Sequence, residues 1–180
     1  MKKTLVILMG VAMLAACGHK MSREEMIKNI EEQEMNLDYS ITTPDVVDSV
    51  QSAMIDLYRQ FYVAFPDDSL APVYMQRSAN MLISLQCTDE AVAVLDSIID
   101  QYPGFEDMGT CWFLKGYAYE NAEEFDSARE VYTYFVNNYP DHVQARDTRT
   151  RLENNYIGMS DEDMFGAIMA AATDKGLVQE

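Results

Sequence analysis

The sequence contains few of the side chains that commonly carry catalysis or hold metal ions. Its 180 residues include only two histidines, His19 and His142, and three cysteines. Neither histidine lies in a nucleophile elbow or an H-E-x-x-H pair, and the chain has no C-x-x-C motif and no glycine-rich phosphate loop. The acidic run Asp161-Glu162-Asp163 lacks the glycine and the ligand spacing of a calcium loop. We therefore expect no catalytic residue, no metal and no cofactor, and predict that the protein is not an enzyme.

Basic residues are also scarce, with 13 lysines and arginines against 30 acids and a formal net charge of −17. Nucleic acids and anionic lipid surfaces are bound through basic patches, so the composition argues against both. The acidic surface either keeps the chain soluble or attracts a basic peptide or protein. One basic strip stands out, Arg146, Arg149 and Arg151. It is either a solvated face that balances nearby acids such as Glu123 and Glu124, or a contact for an acidic partner.

The chain has one long uncharged apolar run, residues 4–14, and it follows Lys2 and Lys3. A helix that spans a bilayer needs about 20 residues, so this run is too short and instead has the order of a signal peptide. The run leads into Leu14-Ala15-Ala16-Cys17, which resembles the bacterial lipoprotein box. That resemblance implies removal of residues 1–16 and lipidation of Cys17. The alternative is an ordinary secretory signal with a chance cysteine.

The residues after Cys17 bear on the membrane that the anchor would enter. They read Gly18-His19-Lys20-Met21, without an adjacent aspartate and without an acidic run. An aspartate next to the cysteine would resemble an inner-membrane retention signal of enteric bacteria. An acidic run would resemble a surface-export signal of Bacteroidota lipoproteins. We therefore expect the protein to be lipid-anchored to the outer membrane of a bacterial envelope and to face the periplasm.

Two stretches of the chain carry small, bulky and proline residues at the same offsets. The later stretch has Trp112, Gly116, Ala128, Tyr132, Phe135 and Pro140, and the earlier one has Met75, Ala79, Ala91, Leu95, Ile98 and Pro103. Pro66, Pro103 and Pro140 are each 37 residues apart. Small residues let two helices approach closely where they cross, and a proline cannot continue the second helix. The pattern predicts repeated helical hairpins.

This spacing resembles the tetratricopeptide repeat, a helix–turn–helix unit of about 34 residues. The two repeats would run from 72 to 105 and from 109 to 142. The turn FPDDSLAP at 65–72 resembles that of tetratricopeptide lipoproteins of the Bacteroidota, and this likeness covers most of residues 44–173. The expected fold class is an all-α solenoid of helical hairpins with a C-terminal capping helix.

The predicted organisation has four parts. Residues 1–16 form the signal peptide, 17–43 a lipid-anchored segment with a short helix, 44–173 the solenoid and 174–180 a tail. The short helix runs from Ser22 to about Leu37 and begins with a capping box between Ser22 and Glu25. The next helix begins at Thr43-Pro44 and runs to about Phe65.

Two further helices follow Pro140, one over residues 142–156 and one that Ser160 caps. The final helix has a one-sided apolar face, made of Met164, Phe165, Ile168, Met169 and Ala172. We expect this face to cover the exposed core of the last repeat, because solenoids require capped ends. The alternative is an exposed helix that binds a partner.

Two cysteines, Cys87 and Cys111, remain after lipidation. The repeat places Cys87 at the turn between two helices and Cys111 near the start of the next repeat. These positions lie at opposite ends of a helical layer, whereas a disulfide needs Cα atoms within about 7 Å. We predict two buried or half-buried thiols with no bridge between them.

The resemblance to tetratricopeptide arrays implies that the first helix of each repeat lines a concave groove. The residues that would fall there are Gln76, Asn80, Ile83, Phe113, Tyr117, Glu120, Asn121, Thr150 and Asn154. For Phe113 and Tyr117, ordinary packing against a neighbouring helix is the alternative. We expect a non-enzymatic adaptor that binds a protein or peptide in the envelope, with a role in outer-membrane or envelope assembly as one case. The alternative is a lipoprotein that captures a small ligand or a peptidoglycan fragment in this groove.

Overall fold

The computed structural model describes residues 20–40 and 44–174, which form helices joined by loops and contain no strand. The described helices are α1 (Arg23–Ser40), α2 (Pro44–Ala64), α3 (Ala71–Ser84), α4 (Thr88–Gln101), α5 (Met108–Asn121), α6 (Phe125–Asn138), α7 (Ala145–Glu153) and α8 (Asp161–Asp174). The chain divides into two units, Met1–Ile41 and Thr42–Glu180, so that α1 belongs to the first and α2–α8 to the second. The predicted all-α class is confirmed. The signal peptide and Cys17 lie outside the described residues.

The first helix begins with the predicted capping box. The Ser22 N–H donates to Glu25 Oε2 at 2.8 Å, and the Glu25 N–H donates to Ser22 Oγ at 3.3 Å. These bonds satisfy backbone donors that the first turn of a helix leaves without intrahelical partners. Across the part of the chain that the structure describes, no helix is both long enough and apolar enough to cross a membrane.

Three loops in the second unit share one backbone structure at intervals of 37 residues. In the first loop the Asp68 N–H donates to Phe65 O at 3.1 Å, and the Ala71 N–H donates to Asp68 O at 2.9 Å. In the second loop the Phe105 N–H donates to Tyr102 O, and the Met108 N–H donates to Phe105 O. In the third loop the His142 N–H donates to Tyr139 O, and the Ala145 N–H donates to His142 O. The first helices α3, α5 and α7 begin directly after these loops. The equal spacing of the prolines thus reflects a structural repeat.

Small residues lie where the helices of each hairpin cross, as predicted. Ala79 and Ala91 are fully buried in the hairpin of α3 and α4, and Ala128 is fully buried in that of α5 and α6. At Gly116 a Cβ atom would lie 2.5 Å from Cδ1 of Tyr132. Only glycine therefore allows α5 to approach the Tyr132 ring on α6 this closely.

Each first helix ends in the same type of left-handed cap, although none of the capping residues is glycine. Gln86, Glu123 and Asn155 have φ angles of 60°, 61° and 58°. The Glu124 N–H donates to Tyr119 O at 2.9 Å, which is the long bond of a Schellman motif. In the last repeat the cap comes early, so α7 has 9 residues whereas α3 and α5 have 14. The helix predicted over 142–156 therefore ends early, and it begins only at Ala145 because residues 142–145 belong to the repeated loop.

The expectation that the final helix covers the last repeat is wrong. Ser160 does cap α8, because the Asp163 N–H donates to Ser160 Oγ at 3.1 Å. However, Phe165 and Ile168 are 64% and 46% exposed, and no other described helix packs on α8. The core is covered instead by Ile157, which is 3% exposed and lies against Ala128 and Tyr132.

The final helix does not pack on α7 because the last repeat lacks the small residues that the first two hairpins carry at their helix crossings. The residue 37 positions after Gly116 is Glu153, and the residue 37 positions after Ala128 is Phe165. Two helices with these side chains at their crossing cannot approach as the earlier pairs do. The third hairpin therefore does not close.

Candidate functional site

The predicted groove residues include three at equivalent positions of successive first helices. Asn80 on α3, Tyr117 on α5 and Asn154 at the end of α7 are 37 residues apart, and all three are exposed. Asn121 and Thr150 are exposed as well. The structure leaves these five side chains at the surface, and that they line one groove stays a prediction.

Tyr117 has a built support beneath it. Its ring is 41% exposed and lies nearly parallel to that of Phe113, with 5° between the planes and 6.3 Å between centroids. Phe113 itself contacts the rings of Tyr132 and Phe135, at centroid distances of 5.9 and 5.7 Å. For Phe113 the packing alternative is therefore correct, whereas Tyr117 presents an aromatic face to the surface on this half-buried base.

Two of the predicted groove residues are not available to a partner. Ile83 is 4% exposed and belongs to the hydrophobic core, so its assignment to the groove is wrong. Its position within the helix is equivalent to that of Glu120, which the protein also uses internally. The cause in both cases is that this side of the first helix faces the next part of the chain and not the solvent.

Glu120 is the centre of a polar cluster that joins α5 to the last repeat. Its side chain is only 12% exposed and pairs with Arg151. Its carboxylate accepts hydrogen bonds from the Tyr132 hydroxyl at 3.0 Å and from the Gly158 N–H at 3.1 Å. Burial raises the pKa of the Tyr132 hydroxyl, and the negative charge of Glu120 raises it further. Buried carboxylates require such partners, which identifies this cluster as structural.

The basic strip on α7 is mostly used in the same way. Arg151 pairs with Glu120, and Arg149 Nη2 donates to Val136 O at 2.8 Å. Only Arg146 among the three has an exposed side chain. The strip therefore fastens α7 to the preceding hairpin through the Val136 carbonyl and through Glu120, an acid that the sequence did not single out for this purpose.

Three of the remaining groove residues, Gln76, Thr150 and Asn154, make hydrogen bonds within the chain. Gln76 Nε2 donates to Asp107 O at 3.3 Å and lies 3.5 Å from Cys111 Sγ, so it connects α3 to the start of α5. Thr150 Oγ1 donates to Arg146 O at 3.1 Å, and Asn154 Nδ2 donates to Thr150 O at 2.8 Å. We use the name first-helix surface for the exposed set, which comprises Asn80, Tyr117, Asn121, Thr150 and Asn154.

The cysteines are as predicted, since Cys87 is half-buried, Cys111 is buried and both are free. Burial raises the pKa of the Cys111 thiol to about 12, while its hydrogen bond with Gln76 acts in the opposite direction. A protonated and inaccessible thiol is a poor nucleophile. Among the residues that the structure describes, no group of three histidines, cysteines or acids could hold a metal ion.

A second aromatic cluster was missed by sequence reasoning. The Trp112 and Tyr134 rings lie 4.0 Å apart, and Lys115 Nζ lies 5.5 Å from the centroid of Trp112. The same ammonium is 2.6 Å from Asp96 Oδ1 on α4. The lysine three residues after the tryptophan was the available signal, because helical residues at that spacing are neighbours. The cluster holds α4, α5 and α6 together.

Comparison with protein families matches residues 110–142 to the tetratricopeptide repeat. No curated protein and no solved structure matches the chain. The matched residues begin in α5 and extend through α6 to the following loop, which is the hairpin that carries Gly116, Tyr117 and Tyr132. Such repeats generally bind protein partners and are typically non-catalytic. The chain therefore contains a tetratricopeptide repeat within an all-helical array of hairpins.

Proposed function

We propose that the protein is a non-enzymatic adaptor of the bacterial envelope, which holds a protein or peptide partner on its first-helix surface. The observation that carries this proposal is the exposed Tyr117 ring on its half-buried Phe113 base. Aromatic side chains with one free face and fixed rotamers provide contact area at low entropic cost and are enriched in interface hot spots. The exposed amides Asn80 and Asn121 supply hydrogen-bonding groups on the same set of helices.

The proposed anchor is a lipid on Cys17, which places the adaptor on the outer membrane with its repeats in the periplasm. The support for it is the order of basic residues, apolar run and Leu14-Ala15-Ala16-Cys17 in the sequence. Metabolic labelling with an alkyne fatty acid tests it directly. We expect labelled wild-type protein in the outer-membrane fraction and no label on Cys17→Ala. A labelled Cys17→Ala variant would disprove this site of attachment.

The experiment that tests the adaptor is a crosslink in living cells from a photoreactive residue in place of Tyr117. Tyr134 is a matched control, because it is the same residue type on the second helix of the same repeat and is 43% exposed against 41% for Tyr117. We expect one dominant protein adduct from position 117 and none of that mass from position 134.

The other outcomes of this experiment are also informative. The same adduct from both positions would indicate non-specific proximity and would contradict the proposed surface. No protein adduct from a folded, lipidated chain would overturn the adaptor in favour of small-ligand capture. Equilibrium dialysis with peptidoglycan fragments would then test that alternative.

A further inference from the structure

The function proposed above does not use the apolar face of α8. Phe165, Ile168 and Met169 are 64%, 46% and 36% exposed, and their spacing places them on one side of the helix. Helices of this length are marginal in water and owe most of their stability to packing of an apolar face. This face therefore requires a cover.

The preceding helix cannot supply that cover. In the hairpin of α5 and α6, the first helix presents Trp112, Phe113 and Gly116. The equivalent residues on α7 are Arg149, Thr150 and Glu153, which are all polar, and Arg149 is already bonded to Val136 O of α6. A membrane surface is also a poor cover, because α8 contains four acids and neither lysine nor arginine. Helices that lie on anionic lipid generally carry basic residues.

The order of side chains along α8 makes the face complementary to itself when two helices run in opposite directions. The bulky residues Met164 and Phe165 lie in the first half, whereas the second half ends in Ala170-Ala171-Ala172. An antiparallel pair with its two-fold axis between Ile168 and Met169 sets each Phe165 opposite Ala172 of the other copy. Large residues opposite small ones pack without voids. A parallel pair would instead set Phe165 against Phe165.

The acidic residues favour the same direction. Asp161, Glu162 and Asp163 occupy the first turn of α8. In an antiparallel pair these clusters lie at opposite ends, about 20 Å apart at 1.5 Å per residue, and each meets only the single acid Asp174 of the other copy. That separation exceeds the Debye length of about 8 Å at physiological salt, whereas a parallel pair would bring the clusters together.

We propose that α8 is a self-association helix, which pairs antiparallel with α8 of a second copy of this chain. The contact is isologous, so each copy uses the same residues. Two helices of this size bury less than the roughly 1,200 Å² of a stable interface, so the dimer is weak and reversible. Attachment of both copies to one membrane would raise their effective concentration. Screening of the net charge of −17 strengthens the pairing as salt rises.

Directed disulfide formation between two tagged full-length copies in the same cells tests both the pairing and its direction. One copy carries Phe165→Cys and the other carries Ala172→Cys, and both keep Cys87 and Cys111. After mild oxidation we expect a disulfide-linked pair that contains both tags, and its yield should fall at least several-fold when Ile168→Glu is added to both copies. Two copies without introduced cysteines set the background.

Every other result overturns the proposal. Disulfides only between two Phe165→Cys copies would show a parallel pair. A Phe165→Cys adduct of a different mass would show that another protein covers the face. No adduct above background, with circular dichroism melts that match the wild type, would show that α8 does not self-associate. None of these results depends on the adduct at Tyr117, so the adaptor proposal is tested separately.

Discussion

A Cβ atom at Gly116 would lie 2.5 Å from the Tyr132 ring, which is fully buried in the same hairpin. This close approach fixes the distance between α5 and α6. It also connects the helix crossing to Glu120, because the Tyr132 hydroxyl donates to that carboxylate at 3.0 Å. The crossing and the polar cluster therefore depend on one tyrosine ring.

Gly116→Ala should lower the free energy of unfolding by about 1–3 kcal/mol, because the new methyl group overpacks the crossing. The gain in helix propensity of about 1 kcal/mol works in the opposite direction. Urea unfolding followed by circular dichroism measures the net effect. Gly104→Ala is the control, because a Cβ atom there meets nothing within 4 Å. Equal midpoints for wild type and Gly116→Ala would refute the tight crossing. Gly116→Leu should unfold the repeat.

Glu120→Gln should destabilise the last repeat, because Arg151 would be left partly buried without its charge partner. Breaking one side of such a pair costs about 3–5 kcal/mol when it is fully buried, and less here, because 22% of the Arg151 side chain is exposed. A double-mutant cycle with Arg151→Met isolates the pair. Independent, additive effects of the two substitutions would contradict the cluster as described.

Alkaline pH should weaken the fold through Cys111. Its folded pKa of about 12 lies above the ordinary value near 9, so the native state favours the protonated thiol. This contribution is complete below pH about 8.5 and is lost as pH rises toward 12. Urea unfolding at pH 8, 9 and 10 should show a steeper decline for wild type than for Cys111→Ala, by at most about 1.4 kcal/mol per pH unit. Because Tyr132 is present in both proteins, parallel curves would rule out the Cys111 effect.

Glu123→Gly should stabilise the protein by roughly 0.5–1 kcal/mol. Glu123 has φ 61°, a left-handed conformation that costs a residue with a Cβ atom about 1–2 kcal/mol and glycine almost nothing. The greater freedom of glycine in the unfolded chain offsets part of this gain. Thermal melts compare Glu123→Gly with Glu123→Ala, which keeps the Cβ atom and should show no gain. A destabilised Glu123→Gly would contradict the cap.

Tyr117→Ala should preserve the fold and weaken partner binding, because the exposed ring contributes little to the core. Tyr132→Ala is the contrasting variant, since its ring is fully buried and its loss should cost about 3–5 kcal/mol. Circular dichroism melts of both variants separate the two roles. A loss of stability in Tyr117→Ala as large as in Tyr132→Ala would mean that Tyr117 is a core residue.

The sequence by itself determined the repeat. Proline ends a helix wherever it occurs in the helix interior, and small residues at fixed offsets permit a close crossing, so Pro66, Pro103, Gly116 and Ala128 predicted the hairpins without knowledge of their neighbours. The capping box at Ser22 and the two unbridged thiols were likewise predictable. These features depend on local geometry or on the repeat register.

Only the tertiary structure decided which faces meet. Ile83 and Glu120 have the helical position of groove residues, yet one is buried in the core and the other is paired with Arg151. The final helix has the pattern of a cap, but Ile157 covers the core in its place. Whether an apolar or charged side chain is buried depends on what the rest of the chain brings against it. At the last repeat, the early end of α7 and the large side chains of Glu153 and Phe165 at the third helix crossing decide which surfaces meet.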